Sequence, residues 1–561
     1  MPQNPRILLY LLRRDLRLAD SPVFHHLATS NHSYTHLLPV YYLPPHQIEV
    51  SGFLRNPEAG SPYPEARSRI GRFWRTGPLR AQFIAESVWD LKGSLESIGS
   101  GLLVRVGRAD EIVERLAREE SVKGVWMSSG IATEEKAEEG SVRRAADRLG
   151  IDFKLWSDES YLIHPEDLPT PPREVSDVFT SFRKSVEPLR DNVRAPFPAP
   201  RKLLPFPANF PEQADLFTAP TSLDDFIARL KAPLEDLGLS TPPLFPEGAT
   251  TAHPFQGGET QARSRLDHLV QSGAMSTYKD TRNGLLGTEY STKLSAWLAL
   301  GCITARQIHS VMYALEEGSA YADAPGHGKG ENKGTAAVRF ELLWRDYMAL
   351  CALKYGADLF SLGGFAHAGQ AYDASEWLSQ SDKPEAFQRW QAGSTGLGLI
   401  DASQRELFLT GYTSNRTRQN VACFLAKDLG IDWRLGAEWY ESMLIDYEVA
   451  SNWGNWQYNA GVGNDPRGVG RKFNPVKQAH DYDKGAKYCR SWLPELREAV
   501  RDESVWQAWQ LSVAERKKLG VAGLEWVERP LKRIQWGKSA KTSGAGHRAR
   551  KSGKTGGGNA A

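Results

Sequence analysis

The chain has 561 residues, of which 41% are hydrophobic, and a formal net charge of only +2. This length allows two to four domains with substantial cores. The sequence contains no apolar run of about 18 residues, so we predict no membrane-spanning segment. The four cysteines lie far apart in sequence, without CxxC or metal-ligand spacing. We therefore expect no bound metal and a reducing, intracellular location, in the nucleus, the cytoplasm or an organelle.

The first third of the chain alternates apolar runs with helical patterns. Strands are predicted over 7–12, 36–43, 101–107, 122–127 and 152–156, and helices over 79–98 and 134–149. Continuous apolar strands that alternate with amphipathic helices are typical of a doubly wound parallel sheet. The segment RRDLRLAD (13–20) follows the first strand, where a dinucleotide fold would carry GxGxxG. Residues 1–165 are thus predicted to form an α/β domain.

The remaining chain changes character twice. Residues 166–255 are rich in proline, which predicts an irregular interdomain connector, interrupted by a short helix over 221–237. From 256 to 510 the apolar period becomes 3–4 residues, which predicts an all-helical domain. Residues 511–561 form a C-terminal extension whose glycine-rich, cationic end we expect to be disordered.

The basic end of the chain allows two interpretations. Nine Lys and Arg residues and no acid occur between Arg529 and Ala561. Such a segment can contact RNA or another nucleic acid through its charge, or can serve only as a solubilising terminus.

Four segments carry candidate chemistry in the helical half. In YKDTRNGLLGTEYSTKLSAWLALGC (278–302), hydroxyls and a lysine precede a helical run. Such a group suits a diphosphate, although an ordinary Ser/Thr N-cap is the alternative. In FELLWRDY (340–347), Glu341, Trp344 and Arg345 share one helix face. They could bind a base, or form a surface Glu–Arg pair beside a packed Trp.

The third segment is GYTSNRTRQ (411–419), where Asn415, Arg416 and Arg418 open a predicted helix. These arginines could meet phosphates or form a solvated basic face. Further on, LIDYEVASNWGNWQY (444–458) contains Asp446, a carboxylate that needs a partner if it is buried. Arg418 is the candidate partner.

These motifs together resemble the photolyase/cryptochrome family. RRDLRLAD, TRNGLLGTEYSTKLSAWLALG, ELLWRDY, TGYTSNRTRQ and NWGNWQYNAGVGNDPR stand in the family's order within residues 5–500. The resemblance is strongest to DASH cryptochromes, on the segments 76–91, 177–187 and 454–467. It implies an α/β photolyase-type domain, a helical FAD-binding domain, and blue-light repair of cyclobutane pyrimidine dimers, mainly in single-stranded DNA. A photoreceptor that signals through flavin photoreduction is the alternative function.

The same resemblance implies a cofactor site and an electron path. The residues implied to hold FAD are Tyr278, Ser291, Thr292, Lys293, Leu294, Ser295, Arg345, Arg418, Asp446, Glu448 and Asn452, of which Asn452 faces the reactive flavin nitrogen. Trp456, Trp433 and Trp377 match the chain of indoles that carries an electron to the flavin. Trp390 competes with Trp377 for the last position, and buried core indoles are the alternative for all of them.

The resemblance also implies a substrate site and an antenna. Glu341, Trp344, Asn415, Arg416 and Tyr458 are expected to bind the flipped dimer. Tyr458 stands where classical dimer photolyases have a second stacking tryptophan, so we expect a weaker apolar wall and a preference for single strands. The antenna is expected to be 5,10-methenyltetrahydrofolate, bound by Glu134 or by Glu135, and the protein is expected to be a monomer without a membrane partner.

Overall fold

A computed structural model of the protein describes residues 5–118, 121–157, 160–370, 373–465 and 471–535. In its first part, five parallel strands form one sheet in the order β3-β2-β1-β4-β5. The strands are β1 (Ile7–Leu12), β2 (His36–Leu43), β3 (Leu103–Val106), β4 (Val122–Ser128) and β5 (Asp152–Trp156). All five were predicted, because strands buried on both faces read as continuous apolar runs.

Helices cover both faces of this sheet, as the doubly wound prediction requires. They are α1 (Pro22–Thr29), α2 (Pro78–Ser97), α3 (Ala109–Leu116) and α4 (Thr133–Leu149). One apolar cluster contains Leu8, Tyr10 and Leu12, while their neighbours Leu9 and Leu11 belong to a separate cluster. This alternation places successive side chains of β1 on opposite faces of the sheet.

The connector is less irregular than predicted. It contains α5 (Phe179–Val186), which the proline content concealed, and α6 (Leu223–Lys231). The second helix is shorter than the predicted 221–237, because Pro233 cannot continue an α-helix and the chain tightens into a 3₁₀ turn there.

The described residues between 256 and 510 are helical, as predicted, and two further short helices lie in the described part of the C-terminal extension, where no helix was predicted. Its helices are α7 (Glu259–Gln271), α8 (Ala274–Thr281), α9 (Ser295–Ala299), α10 (Ala305–Glu317), α11 (Lys333–Tyr355), α12 (Pro384–Gln391), α13 (Gly398–Thr410), α14 (Asn415–Cys423), α15 (Trp433–Met443), α16 (Val449–Ala460), α17 (Pro475–Tyr482), α18 (Lys487–Trp492), α19 (Asp502–Trp506), α20 (Val513–Leu519) and α21 (Glu525–Glu528). The long helix α11 packs against α8 and α16, and α16 also packs against α15. None of the described helices combines the length and hydropathy that a membrane crossing requires.

The charged segment 13–20 joins the two parts of the molecule. Its last residue, Asp20, is fully buried and accepts a hydrogen bond of 2.6 Å from the Thr304 hydroxyl as well as the guanidinium of Arg306. Arg17, also buried, donates to the carbonyl of Gly301 at 3.1 Å. The motif after β1 therefore packs the helical part against the sheet, which explains its charge without a ligand.

Candidate functional site

A cavity of about 570 Å³ opens in the helical part, between α8, α11, α14, α16 and the loop before α9. Its volume lies in the range of sites for small molecules and cofactors. The predicted site residues on its wall are Tyr278, Ser291, Thr292, Lys293, Leu294, Ser295, Glu341, Trp344, Arg345, Asn415, Arg416, Arg418, Asp446, Glu448, Asn452, Trp456 and Tyr458. Trp433, Trp377 and Glu134 lie elsewhere.

The loop before α9 has an unusual backbone. Ser291 and Lys293 adopt left-handed φ values of +59° and +64°, although neither is glycine. Helix α9 then begins at Ser295, with Leu294 as a cap residue that makes no side-chain capping bond. The ordinary Ser/Thr N-cap is therefore wrong for this segment. Residues with strained backbone of this kind occur preferentially at ligand sites, where the surrounding structure holds them in place.

Lys293 is a buried cation on the wall of the cavity. Its side chain is 1% exposed, and its ammonium has no hydrogen-bond partner among the described residues. The ammonium lies 2.9 Å from the ring centre of Tyr290 and 4.8 Å from that of Tyr412. Burial lowers the pKa of Lys293 to about 6. A bound phosphate would supply the missing anion and restore the ammonium form.

Arg418 and Asp446 form the predicted ion pair. Two hydrogen bonds, of 3.1 and 3.0 Å, join the guanidinium to both carboxylate oxygens. The Ser295 hydroxyl also donates to Asp446, at 2.7 Å. The pair connects α14 to the segment before α16 and fixes one wall of the cavity.

The start of α16 supplies two further wall residues. Glu448 caps the helix, because its carboxylate accepts the N–H groups of Ala450 and Ser451 at 3.0 and 2.8 Å. Asn452 lies one turn later and is 8% exposed. Its amide nitrogen donates to the carbonyl of Ala437 at 3.0 Å, so this bond assigns the nitrogen and leaves the side-chain oxygen as an acceptor for the cavity.

These groups fit a dinucleotide cofactor such as FAD. The fit rests on the unpartnered ammonium of Lys293, which a diphosphate would neutralise, and on the acceptor that Asn452 presents farther along the wall. Arg345 adds a further cation at the wall, held by the carbonyls of Ser160 at 3.1 Å and Leu298 at 3.4 Å. Among the described residues, no group of three or more His, Cys, Asp or Glu side chains could hold a metal.

Tryptophans continue from the cavity into the protein. Trp456 lines the cavity, is 3% exposed and packs on Gly436, where an added Cβ would overlap the indole. Gly436 lies one turn after Trp433, so Trp456 packs on the same helix, α15, that carries Trp433. Trp433 is fully buried and donates its indole N–H to the carbonyl of Leu362 at 3.0 Å.

The competing ends of this path differ in exposure. Leu378, next to Trp377, pairs with the segment just before Trp433 through two backbone hydrogen bonds of 2.9 Å. Trp377 itself is only partly buried. Trp390 is fully buried, and its ring centre lies 6.2 Å from that of Trp456. Trp390 therefore sits beside the first indole of the path and away from solvent.

The open side of the cavity carries the predicted substrate residues. Glu341 pairs with Arg282, the residue that follows the last turn of α8, and the Glu341–Arg345 surface pair considered as the alternative is not formed. Burial raises the pKa of Glu341, and the charge of Arg282 opposes this shift. Trp344 stacks on Phe179 of α5, with ring centres 3.5 Å apart, so at most one indole face is free for a ligand.

Polar groups complete this rim. Asn415 is exposed, and the Arg416 guanidinium donates to the side chain of Asn283 at 2.7 Å. The hydroxyl of Tyr458 accepts from Arg471 at 3.1 Å. Sequence reasoning singled out neither Asn283 nor Arg471, nor the partners Arg282 and Phe179. Asn283 stands in the quoted turn, but spacing alone does not reveal which distant side chains meet there.

The two antenna candidates occupy different environments. Glu134 is 44% exposed and pairs at 2.9 Å with Arg75, which also pairs with Glu441 of α15 at 2.9 Å. Glu135 is buried and accepts from Arg14 and from the N–H groups of Ile131 and Ala132. Glu134 is thus the carboxylate with open surface between the two parts of the molecule. The basic end of the chain, 536–561, lies outside the described residues.

Comparisons with known proteins agree with this geometry. Residues 8–201 match DNA photolyase, and residues 338–556 match the FAD binding domain of DNA photolyase. The chain is 51% identical to a putative cryptochrome DASH of Gibberella zeae, over 95% of this chain and 79% of the relative. It is 50% identical to a putative mitochondrial cryptochrome DASH of Neurospora crassa, over 96% of this chain and 76% of the relative. The crystal structure of a Synechocystis cryptochrome superposes with a TM-score of 0.75 at 37% identity, covering 93% of this chain and 95% of the other.

Proposed function

Because the chain belongs to the photolyase/cryptochrome family, within its cryptochrome DASH group, we propose that it is a blue-light-driven, FAD-dependent lyase for cyclobutane pyrimidine dimers, chiefly in single-stranded DNA. One observation carries the proposal: a single cavity has cofactor-type groups at its depth and base-binding groups at its mouth. Lys293, Arg418 and Asn452 belong to the first set, Glu341 and Tyr458 to the second. A photoreceptor alone would need the first set and would have no use for the second.

At the depth of the cavity, the protein binds and orients the cofactor. Lys293 and Arg345 would neutralise the diphosphate, and the Arg418–Asp446 pair would keep the wall rigid. The Asn452 oxygen can accept a hydrogen bond from the flavin but, as an amide, does not hand over a proton. When bound, a reduced flavin supplies the light-excited electron that opens the dimer and takes it back afterwards.

At the mouth, the protein binds the lesion. Glu341 would hydrogen-bond the flipped bases once the bases displace Arg282, and Trp344 would offer its free face for stacking. Asn415 and Arg416 would position the backbone of the lesion. The single indole at this wall, with Tyr458 beside it at 6.1 Å, offers a modest stacking surface. That surface suits a dimer which is already unstacked, as in single strands.

The tryptophan path would carry electrons to the flavin and reduce it. Trp456, Trp433 and Trp377 lead from the cavity toward the surface, and we assign the outer position to Trp377 because a terminal donor must meet an external reductant. The buried Trp390 does not meet that requirement.

Methenyltetrahydrofolate is the proposed antenna, with Glu134 as the contacting carboxylate because Glu135 is already saturated by Arg14 and two backbone N–H groups.

We also propose that the protein acts as a monomer and that the basic end adds electrostatic affinity for DNA or RNA. Truncation after Gln535 would then reduce the salt dependence of nucleic-acid binding. If the salt dependence of nucleic-acid affinity is unchanged after truncation, the segment serves only to keep the protein soluble. Whether the protein acts in the nucleus, the cytoplasm or an organelle can be read from localisation of the tagged full-length chain.

The decisive experiment uses the FAD-loaded, reduced protein under blue light with thymine-dimer oligonucleotides, both single- and double-stranded. We expect restored thymines in the single strand, slower repair in the duplex, and none in the dark. Glu341→Ala should lose repair while it keeps FAD and photoreduction. Absence of repair on both substrates, with photoreduction intact, would favour the photoreceptor function instead.

A further inference from the structure

A second cavity, of about 290 Å³, lies at the edge of the sheet, away from the proposed lyase site. It is enclosed by the edge strand β3, by helix α3 and by the connector segment around 213–217. Its wall includes three arginines, Arg105, Arg115 and Arg118. The proposed function uses none of them, so they call for a separate explanation.

Arg105 is a buried cation that forms no ion pair with any described carboxylate. It points from β3, and only 5% of the residue is exposed. Its two terminal nitrogens donate to the carbonyls of Val104 at 3.1 Å and Pro211 at 2.9 Å, while its Nε atom has no partner in the part of the chain that the structure describes. Within the described ranges, no carboxylate forms an ion pair with it. Buried charges in proteins are normally paired, so Arg105 is left without a paired negative group among the described residues.

The neighbouring charges increase the imbalance. Burial lowers the pKa of Arg105 to about 10; the positive charge of Arg115 adds to this shift, and the negative charge of Glu212 opposes it. Of the two carboxylates on the cavity wall, Glu114 is engaged by Arg148, and Glu111 accepts the Tyr63 hydroxyl. Neither carboxylate pairs with Arg105 or Arg115 in the part of the chain that is described.

Specific side-chain contacts form the rest of the cavity wall. The Gln213 side chain closes the open edge of β3, because its amide exchanges two hydrogen bonds of 3.0 Å with the backbone of Val106. Tyr63 and Phe217 stack with an interplanar angle of 5° and form a flat apolar side. A cavity with guanidinium groups on one side and a flat apolar face on another suits a small organic anion.

We infer that this cavity is a binding site for a small molecule with a phosphate or carboxylate group, held between Arg105 and Arg115. Guanidinium groups bind such oxygens through paired, charge-assisted hydrogen bonds. The site is independent of the proposed light-driven chemistry, so either proposal can fail without the other.

The test uses the full-length, FAD-loaded protein, in which the diphosphate site is already filled. Calorimetry with inorganic phosphate and, separately, with citrate at constant ionic strength should show one saturable site for at least one of them. Phosphate alone would indicate a phosphorylated ligand, and citrate alone a polycarboxylate. Arg105→Gln and Arg115→Gln should each weaken binding by about tenfold or more.

Two controls keep the result unambiguous. Arg144→Gln removes an exposed arginine from α4 of the same domain and should leave the affinity unchanged. Arg115→Gln breaks no hydrogen bond seen for Arg105, so it separates loss of the anion site from loss of the Arg105–Pro211 contact. Absence of saturable binding of both anions to the wild type, or wild-type affinity in both the Arg105→Gln and the Arg115→Gln variant, would overturn the inference.

Discussion

Arg418 and Asp446 meet through two nearly equal hydrogen bonds, of 3.1 and 3.0 Å, at the wall of the main cavity. Asp446 is 4% exposed at its side chain and Arg418 22%, so the pair is largely withdrawn from water. A bidentate pair of this kind holds geometry that a single lysine–carboxylate contact does not reproduce. The pair should therefore matter for cofactor retention as well as for stability.

Arg418→Lys should weaken FAD binding by about 10- to 100-fold, which corresponds to about 1.5–3 kcal/mol for charge-assisted hydrogen bonds. Asp446→Asn should be worse, because it leaves the guanidinium without its anion. Equilibrium dialysis of FAD and thermal unfolding would measure both effects. Arg434→Lys is the matched control, since Arg434 forms a similar forked contact with Asp432 away from the cavity. Equal FAD loss in the control would show that the Arg418 effect is merely global.

The tryptophan path can be tested by single replacements. Trp456→Phe and Trp433→Phe should each reduce the rate of light-driven flavin reduction to a small fraction of the wild-type rate, because phenylalanine is much harder to oxidise than tryptophan. Trp439→Phe is the control: this indole is also fully buried on α15 but packs against Phe73 and Phe408. Transient absorption with an external electron donor would follow the reaction.

The outer end of the path needs its own comparison. Trp377→Phe should slow photoreduction at a fixed donor concentration, whereas Trp390→Phe should have little effect. The opposite order would move the outer position to Trp390 and would require that a fully buried indole exchanges electrons with the solvent.

Sequence reasoning went furthest where a local pattern determines the structure. The strand β1 and its neighbours read as apolar runs because a covered parallel sheet excludes polar side chains from both faces. The Arg418–Asp446 pair could also be anticipated, since a buried carboxylate has few alternatives. Glu341 illustrates the limit. Helical spacing offers Arg345 as its partner, but the structure gives Arg282, from another helix. The stack of Phe179 on Trp344 likewise depends on how the connector crosses α11.

Lys293 predicts a pH dependence of cofactor binding. In the cofactor-free protein its pKa is about 6, because burial penalises the ammonium. A bound diphosphate favours the ammonium and raises this pKa, so binding should take up a proton at pH values above about 6. FAD affinity should consequently fall as the pH rises from 6 to 9, with a slope that approaches tenfold per pH unit for one proton.

Calorimetry of FAD binding in two buffers with different ionisation enthalpies would measure the number of protons that the protein takes up on binding. Lys293→Met should abolish most of the uptake and should also stabilise the cofactor-free protein, because the unfolded chain no longer gains by protonating this lysine. Glu406 faces the same lysine and has a pKa that burial raises to about 7, so Glu406→Gln is the necessary companion. Uptake that survives in Lys293→Met but vanishes in Glu406→Gln would assign the proton to the carboxylate.

Tyr458 predicts how the substrate range could be changed. Its ring stands at the cavity mouth beside Trp344, and its hydroxyl bonds to Arg471 at 3.1 Å. Extraction of a dimer from a duplex costs a few kcal/mol, and stacking on an aromatic side chain returns about 1–3 kcal/mol per base. Tyr458→Trp enlarges the stacking wall and should increase duplex repair several-fold while it leaves single-strand repair nearly unchanged.

Tyr458→Phe separates the two contributions of the residue, because it removes the bond to Arg471 without enlarging the ring. Repair rates on paired and unpaired thymine-dimer oligonucleotides would be compared for the three proteins. A tryptophan variant with no gain on the duplex would show that another feature of the rim limits flipping.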